Sequence, residues 1–241
     1  MAKKTKGLKG RHRVEPTIQR PIKYRNYQYL FLIVCEDEQT ERIYFGSFAS
    51  IIPENTLFLR SVGTGLDPKR VVERTIVERE KLKNESRKEV DESWAVFDKD
   101  DADENERKIR RFEEAFSIAD EEGINLAYTN EAFELWLLLH LTAVPPRPPL
   151  PRHEIYQRLE AEISRRPGFE DFRYNHRETE AVDILDKIRR LGDENAAVRR
   201  AEALLAAQAG IPPIQANPST CVHLLVKSLR EKIDFYSWQP D

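Results

Sequence analysis

The sequence predicts an α/β fold, in which a mostly parallel sheet carries helices on both faces and a helical region follows. Four short apolar segments, at 29–35, 57–62, 93–97 and 124–128, alternate with longer segments that have apolar residues at helical spacing. This alternation is typical of βαβ units. The first segment is apolar throughout, as expected for a parallel strand buried on both faces. After the proline-rich stretch 145–151 only helical patterns follow, so the sheet should end before it.

The helices can be placed by their caps and by their apolar faces. Asp67 can cap a helix whose first residue is Pro68. Segment 131–141 is apolar on nearly every side, so we expect a buried helix there. The last part of the chain has helical patterns at about 152–165, 178–190, 193–209 and 219–235.

Composition divides the 241 residues into three parts. Residues 1–28 are predicted to form a flexible basic arm, because residues 1–25 contain nine Lys or Arg and a single acid. Such an arm either binds phosphate backbones or serves as a solubilising tail. Residues 29–143 are expected to form the α/β core, and 144–241 a helical region that packs on this core.

Bulk properties exclude several classes of protein. Hydrophobic residues make up 40% of the chain, enough for a buried core, and the net charge of −3 argues against non-specific coating of nucleic acid. Cys35 and Cys221 fit neither a disulfide framework nor a zinc site, which favours the reducing cytoplasm. No apolar run approaches the ~20 residues of a bilayer span, and no secretory signal is recognisable. We therefore expect no membrane partner; the oligomeric state stays open.

Carboxylates follow two of the predicted strands. Glu36 follows the first strand, and Asp98 and Asp100 follow the third. Ligands of open α/β sheets bind at the carboxyl ends of strands, so these acids converge if the two strands are neighbours. Residues two apart in an extended segment also point the same way. Hard oxygen ligands suit Mg²⁺ or Mn²⁺. The pattern predicts metal-assisted phosphodiester cleavage or phosphoryl transfer; the alternative is that these acids cap helices or lie in solvated turns.

Four motifs occur along the chain, at 33–41 (IVCEDEQTE), 94–100 (WAVFDKD), 133–140 (FELWLLLH) and 217–223 (NPSTCVH). In combination they resemble the RloB-like family, over most of the chain. The resemblance implies a Toprim-like fold and relatives in prokaryotic restriction and abortive-infection loci. It also implies a nuclease role in antiphage defence, sometimes beside a partner ATPase of the AAA or ABC type.

The family motifs fall on the acids already singled out. The Toprim glutamate corresponds to Glu36 and the aspartate pair to Asp98 and Asp100, which the resemblance implies as metal ligands. Two positions depart from the family pattern. Asp37 stands where the family usually has Gly, and Asp adopts a left-handed turn less easily. Glu131 stands where a Pro is frequent, and would add a carboxylate near the site.

Three further residues are candidates for the catalytic site. Glu41 lies one helical turn after Glu36 and could orient the metal ligands or bind a second ion; otherwise it is a charge favoured at a helix start. Glu134 is the sole acid in an apolar helix, and a buried carboxylate needs a partner. It therefore either belongs to the metal site or forms a salt bridge with an arginine. His140 is either a proton carrier or a hydrogen-bonded core histidine.

Two functions remain open from the sequence. The first is a Mg²⁺- or Mn²⁺-dependent endonuclease acting on DNA or RNA, which the intact acidic triplet favours. The second is a non-catalytic nucleic-acid-binding or adaptor subunit of a partner ATPase. Primase or topoisomerase chemistry is a weaker reading, because neither a zinc finger nor a nucleophilic-tyrosine domain is recognisable.

Overall fold

The computed structural model describes residues 27–100, 102–176 and 178–238. The basic arm predicted for residues 1–28 therefore lies almost wholly outside the described residues. The described chain forms a four-stranded, all-parallel sheet with eight α-helices. The predicted α/β fold class is thus confirmed.

The elements follow one another in the predicted order. The strands are β1 (Tyr29–Cys35), β2 (Leu57–Gly63), β3 (Glu92–Asp98) and β4 (Asn125–Thr129). The helices are α1 (Thr40–Gly46), α2 (Pro68–Ser86), α3 (Glu106–Glu122), α4 (Glu134–Leu141), α5 (Arg152–Ser164), α6 (Ala181–Leu191), α7 (Glu194–Ala207) and α8 (Val222–Ser237). Asp67 caps α2 as expected, by accepting a hydrogen bond from the Arg70 N–H. The main difference is that α4 begins at Glu134 rather than 131, because Glu131 has φ +79° and cannot continue a right-handed helix.

The strand order determines where a ligand can bind. The order is β2-β1-β3-β4, so the chain leaves β1 first toward β2 and later crosses to β3 on the other side. The crossovers therefore reverse direction between β1 and β3. In open parallel sheets the crevice at such a switch point, outside the carboxyl ends of the strands, is the usual ligand site.

The two faces of β1 pack against different layers. Leu30, Leu32 and Val34 contribute to a core shared with α2 and α3. The alternate residues Phe31 and Ile33 contribute to a larger core. That larger core includes α1, α4 and residues of α5 to α8, so the C-terminal helices share a hydrophobic core with the sheet.

Helix α4 is the most apolar helix, and all eight of its residues are buried. It contacts α5, α6 and α7 around its circumference, which explains why no polar face is needed. No helix within the described ranges combines the length and apolar character required to cross a bilayer.

Candidate metal centre

Glu36 and Asp98 are adjacent at the switch point between β1 and β3. The last residue of β1, Cys35, is aligned with Val96, and the Glu36 N–H donates to the Val96 carbonyl at 2.8 Å. The Glu36 carboxylate in turn accepts a hydrogen bond from the Asp98 N–H at 3.0 Å. The two strands are neighbours, as the convergence of these acids required.

The Asp98 carboxylate has one satisfied and one unsatisfied oxygen. Its Oδ2 accepts a hydrogen bond from the Phe133 N–H, just before α4, at 2.8 Å. Its Oδ1 is buried and has no hydrogen-bond partner. Buried carboxylate oxygens normally have a donor or a cation beside them, so Oδ1 is suited to bind a cation.

Burial and mutual repulsion make the ionised form of this cluster costly. Desolvation raises the pKa of Glu36 to about 8, with Asp100 among the nearby acids that add to the effect. Desolvation likewise raises the pKa of Asp98, and Glu41 and Asp100 contribute further. A divalent cation would favour the ionised carboxylates and reverse these shifts.

Asp100 lies at the same cleft but is engaged by the helical region. Its carboxylate forms an ion pair with the Arg152 guanidinium, at the start of α5, at 2.7 Å. Asp100 has φ +50°, so the backbone turns at this position instead of continuing the extended alternation on which its predicted direction rested. Both partners are more than a third exposed. Exposed pairs contribute little stability, at most about 1 kcal/mol, so Arg152 holds Asp100 only weakly.

The described residues contain no group of three or more His, Cys, Asp or Glu side chains placed to hold a metal ion as they stand. Asp100, the third predicted ligand, is paired with Arg152 instead. The unsatisfied Oδ1 of Asp98 and the adjoining Glu36 nevertheless fit a divalent cation, because such ions take several ligands from water and substrate phosphate. The residues thus fit a site that is completed on binding.

Glu41 supports the turn that carries Glu36. It is only 1% exposed and accepts a hydrogen bond from the Asp37 N–H at 3.0 Å. Desolvation, followed by the charge of Glu36, raises its pKa. Asp37 is not among the residues with positive φ; its carboxylate accepts hydrogen bonds from the N–H groups of Gln39 and Thr40. Asp37 therefore needs no left-handed backbone, and its carboxylate binds N–H groups at the start of α1.

The loop after β2 holds the Glu36 main chain from the other side. The Gly65 N–H donates to the Glu36 carbonyl at 2.7 Å, and the Thr64 hydroxyl donates to the Cys35 carbonyl at 2.9 Å. A Cβ at Gly63 would lie 2.4 Å from Glu38 Cα. Only glycine permits this approach, so the 63–65 turn positions Glu36.

Gly63→Ala should therefore displace the Glu36 turn. We expect a loss of about 1 to 2 kcal/mol in the free energy of unfolding, as for other overpacked positions, together with weaker stabilisation by Mg²⁺. Gly46→Ala is the matched control, since its Cβ would meet nothing within 4 Å; it should be neutral or stabilising. Thermal melts with and without Mg²⁺ measure both. Equal effects of the two substitutions would contradict the positioning role of Gly63.

Glu134 is buried, with 3% exposure, and its partners come from the helical region. The Tyr174 hydroxyl donates to its Oε1, and the His176 Nδ1 lies 3.0 Å from the same oxygen. The predicted pairing is thus observed, but with a tyrosine and a histidine rather than an arginine. Neither partner stood out in the sequence, because they lie 40 and 42 residues away along the chain.

His140 is not brought to the acidic cluster. It lies six residues after Glu134, about 9 Å along the axis of α4, and its Nδ1 hydrogen-bonds the Trp136 carbonyl at 2.9 Å. It lines a separate cavity of about 840 Å³, together with Tyr44 and Arg230. Desolvation lowers its pKa. The geometry corresponds to the core-histidine alternative, and the predicted catalytic role finds no support in its position.

The late motif 217–223 supports the loop between β4 and α4. Its backbone pairs with the end of β4, where the Asn130 N–H donates to the Ser219 carbonyl at 2.9 Å. The Asn217 side chain donates to Glu131 at 3.0 Å, and Glu131 also pairs with buried Lys99 at 3.1 Å. Glu131 is therefore already engaged by these partners. This loop supplies the Phe133 N–H that binds Asp98, so the motif acts on the site through the backbone.

Both acidic and basic residues line a cleft of about 350 Å³. The acids are Glu36, Asp98 and Asp100, with the capping residue Asp67. The start of α3 contributes Asn105, Arg107, Lys108 and Arg111, which are called the basic wall below. Arg111 pairs with Asp67, whereas Arg107 makes no ion pair within the described part of the chain. The sequence signal that could have indicated these residues is the basic run RKIRR at 107–111.

Comparison with known proteins adds to this geometry. A profile described as RloB-like protein matches residues 31–229. The chain belongs to the RloB-like family. The matched region includes both strand-end acids, the α4 helix and the late motif. No curated protein matches, and neither does any solved structure.

Proposed function

We propose that this RloB-like protein is a divalent-metal-dependent nuclease that hydrolyses phosphodiester bonds of DNA or RNA. The observation that supports this best is the pairing of Glu36 and Asp98 at the switch point of the sheet, with a buried Asp98 oxygen that has no hydrogen-bond partner. Membership of the RloB-like family favours a role in prokaryotic antiphage or abortive-infection defence. That role is an analogy at the level of the family.

Mg²⁺ or Mn²⁺ would be held by Glu36, Asp98 and Asp100, the last after it leaves Arg152. When bound, the ion would polarise a phosphoryl oxygen and stabilise the charge that develops on it. Glu36 is placed either to bind the ion or to move a proton, since its pKa of about 8 lies near neutrality before any cation binds. Glu41 would keep the Glu36 turn in place.

Nucleic acid is the proposed substrate because basic residues of α3 line the same cleft as the acids. On α3, Arg107, Lys108, Arg110 and Arg111 fall within an arc of about 160° at 100° per residue. Arg107 is exposed and has no described ion-pair partner. A phosphate backbone lying along this face would present phosphates to the acids and to the basic wall.

Arg107→Ala should weaken nucleic-acid binding without affecting the metal site. We expect the affinity to fall a few-fold. The slope of log affinity against log salt concentration should also become shallower by about one, because one phosphate contact is lost. Lys83→Ala is the control, because Lys83 lies about 22 Å along α2 from the cleft. Fluorescence anisotropy in EDTA, with labelled DNA and RNA, measures binding in the absence of cleavage. The same salt slope for both variants would contradict the assignment of the wall.

The function itself is tested with purified protein and DNA or RNA substrates, in Mg²⁺, Mn²⁺ or EDTA. Cleavage that requires the ion is expected. The alternative is a non-catalytic adaptor subunit of a partner ATPase of the AAA or ABC type. Absence of cleavage of every substrate, also with a candidate ATPase added, would favour that alternative and overturn the nuclease proposal.

A further inference from the structure

Glu134, whose charge acts on Asp98, forms a carboxylate–imidazole pair with His176. Glu134 belongs to the sheet-bound helix α4, whereas His176 lies in the segment between α5 and α6. Their contact, at 3.0 Å, joins the buried Oε1 of Glu134 to Nδ1 of His176. A carboxylate on one ring nitrogen fixes the tautomer and leaves Nε2 as the nitrogen that can act on a ligand.

The imidazole is held in place from a second side. Its ring stacks on Tyr156, with centroids 5.3 Å apart and an interplanar angle of 7°. Tyr156 lies one turn after Arg152 on α5, so the two share a helix face. Arg152 contacts Asp100. The face of α5 that reaches the proposed metal ligands thus also supports His176, whose side chain remains 58% exposed.

The surroundings of His176 favour its protonated form. The hydrogen bond to Glu134 is the largest influence and raises the pKa of His176, and the charges of Asp37 and Asp100 add to it. The neighbouring phenols are those of Tyr156, which stacks on the ring, and Tyr174, which donates to Glu134. The pKa of both phenols is raised, so neither supplies a competing negative charge near neutrality.

We propose that His176, oriented by Glu134, is the general acid that protonates the leaving sugar oxygen; this inference rests on the nuclease function proposed above. In the step, a water oxygen forms a bond to phosphorus and the bond from phosphorus to the leaving oxygen breaks. The proton on Nε2 of His176 moves to that oxygen and yields an alcohol. The attacking water loses one proton to solvent, and His176 regains one from solvent, so the net reaction converts a phosphodiester and water to a phosphomonoester and an alcohol.

A change of leaving group tests this role, because 4-nitrophenolate departs without a proton whereas a sugar oxygen does not. For His176→Gln we expect a rate loss of about 10²-fold or more on the nucleic-acid substrate. The loss on bis(4-nitrophenyl) phosphate should be less than about tenfold. The alkaline limb of the wild-type pH–rate profile should also disappear in the variant. His153→Gln, an exposed histidine on α5, is the matched control and should retain wild-type rates on both substrates.

The outcomes separate this inference from the function on which it rests. Equal losses on both substrates, or an unchanged pH profile, would overturn the general-acid role and leave the nuclease function intact. Failure of the wild-type protein to cleave either substrate in Mg²⁺ or Mn²⁺ would overturn the nuclease function, and the general acid with it. Glu134→Gln provides a second variant: if it is folded by thermal melting, it should show the same dependence on leaving group, because His176 loses its orienting carboxylate.

Discussion

Asp98→Asn should lower metal-dependent cleavage by about 10³-fold or more, while the protein stays folded. An amide binds Mg²⁺ far less well than a carboxylate, and removal of a metal ligand forfeits several kcal/mol of charge stabilisation in the transition state. The Asn side-chain carbonyl can still accept the hydrogen bond that Phe133 donates to Asp98. The substitution also removes a charge that Glu41, Asp100 and Glu36 repel, and this relief offsets the cost of an unpaired amide nitrogen at the buried Oδ1 position.

Cleavage rates and thermal melts measured together separate the two effects. Asp120→Asn, on the exposed face of α3, is the isosteric control and should leave the rate unchanged. Glu36→Gln should behave like Asp98→Asn, because the two carboxylates share the proposed site. A folded Asp98→Asn protein that cleaves at the wild-type rate would refute the assignment of the metal centre.

The fold was predictable because its signals are local. The continuous apolar run of β1 and the capped start of α2 each depend only on residues that are adjacent in the sequence. Helical periodicity located α5 to α8. The exception is the start of α4. There, the apolar pattern extends back to 131, but Glu131 is held by Lys99 and Asn217 in a left-handed conformation. Those partners are distant in sequence, so no local pattern could indicate the break.

The candidate site divides in the same way. Glu36 and Asp98 follow strands, and the general geometry of parallel sheets is enough to bring them together. The ion pair of Asp100 with Arg152 depends on how the helical region packs on the sheet. The same holds for the contact of His176 with Glu134. These contacts join segments that are 42 to 52 residues apart in the sequence. Such contacts produce no local sequence pattern, so they could not be predicted.

The uncompensated acids should also make the metal-free protein less stable as the pH rises. Glu36 has a folded pKa of about 8, against an ordinary value of 4.5. Between these values the folded protein binds more protons than the unfolded chain, so the free energy of unfolding falls as pH increases through this window. From about pH 6.5 to about pH 8.5, Glu36 alone accounts for a loss of about 2 kcal/mol. The raised pKa values of Glu41 and Asp98 act in the same direction.

Denaturant unfolding in EDTA at these two pH values measures the loss in the free energy of unfolding. In Glu36→Gln this loss should be smaller by about 2 kcal/mol. The lowered pKa values of His140 and His223 act mainly below about pH 6.5, where these buried imidazoles resist protonation. The raised pKa of His176 acts within the window and in the same direction as that of Glu36, so the difference between the wild-type protein and Glu36→Gln isolates the contribution of Glu36. Saturating Mg²⁺ should restore stability at the higher pH in the wild-type protein, because a ligand that binds the folded state alone stabilises it. Asp98→Asn should lose this restoration. If Mg²⁺ stabilised both proteins equally, the ion would bind elsewhere, and the raised pKa values would reflect burial without a metal function.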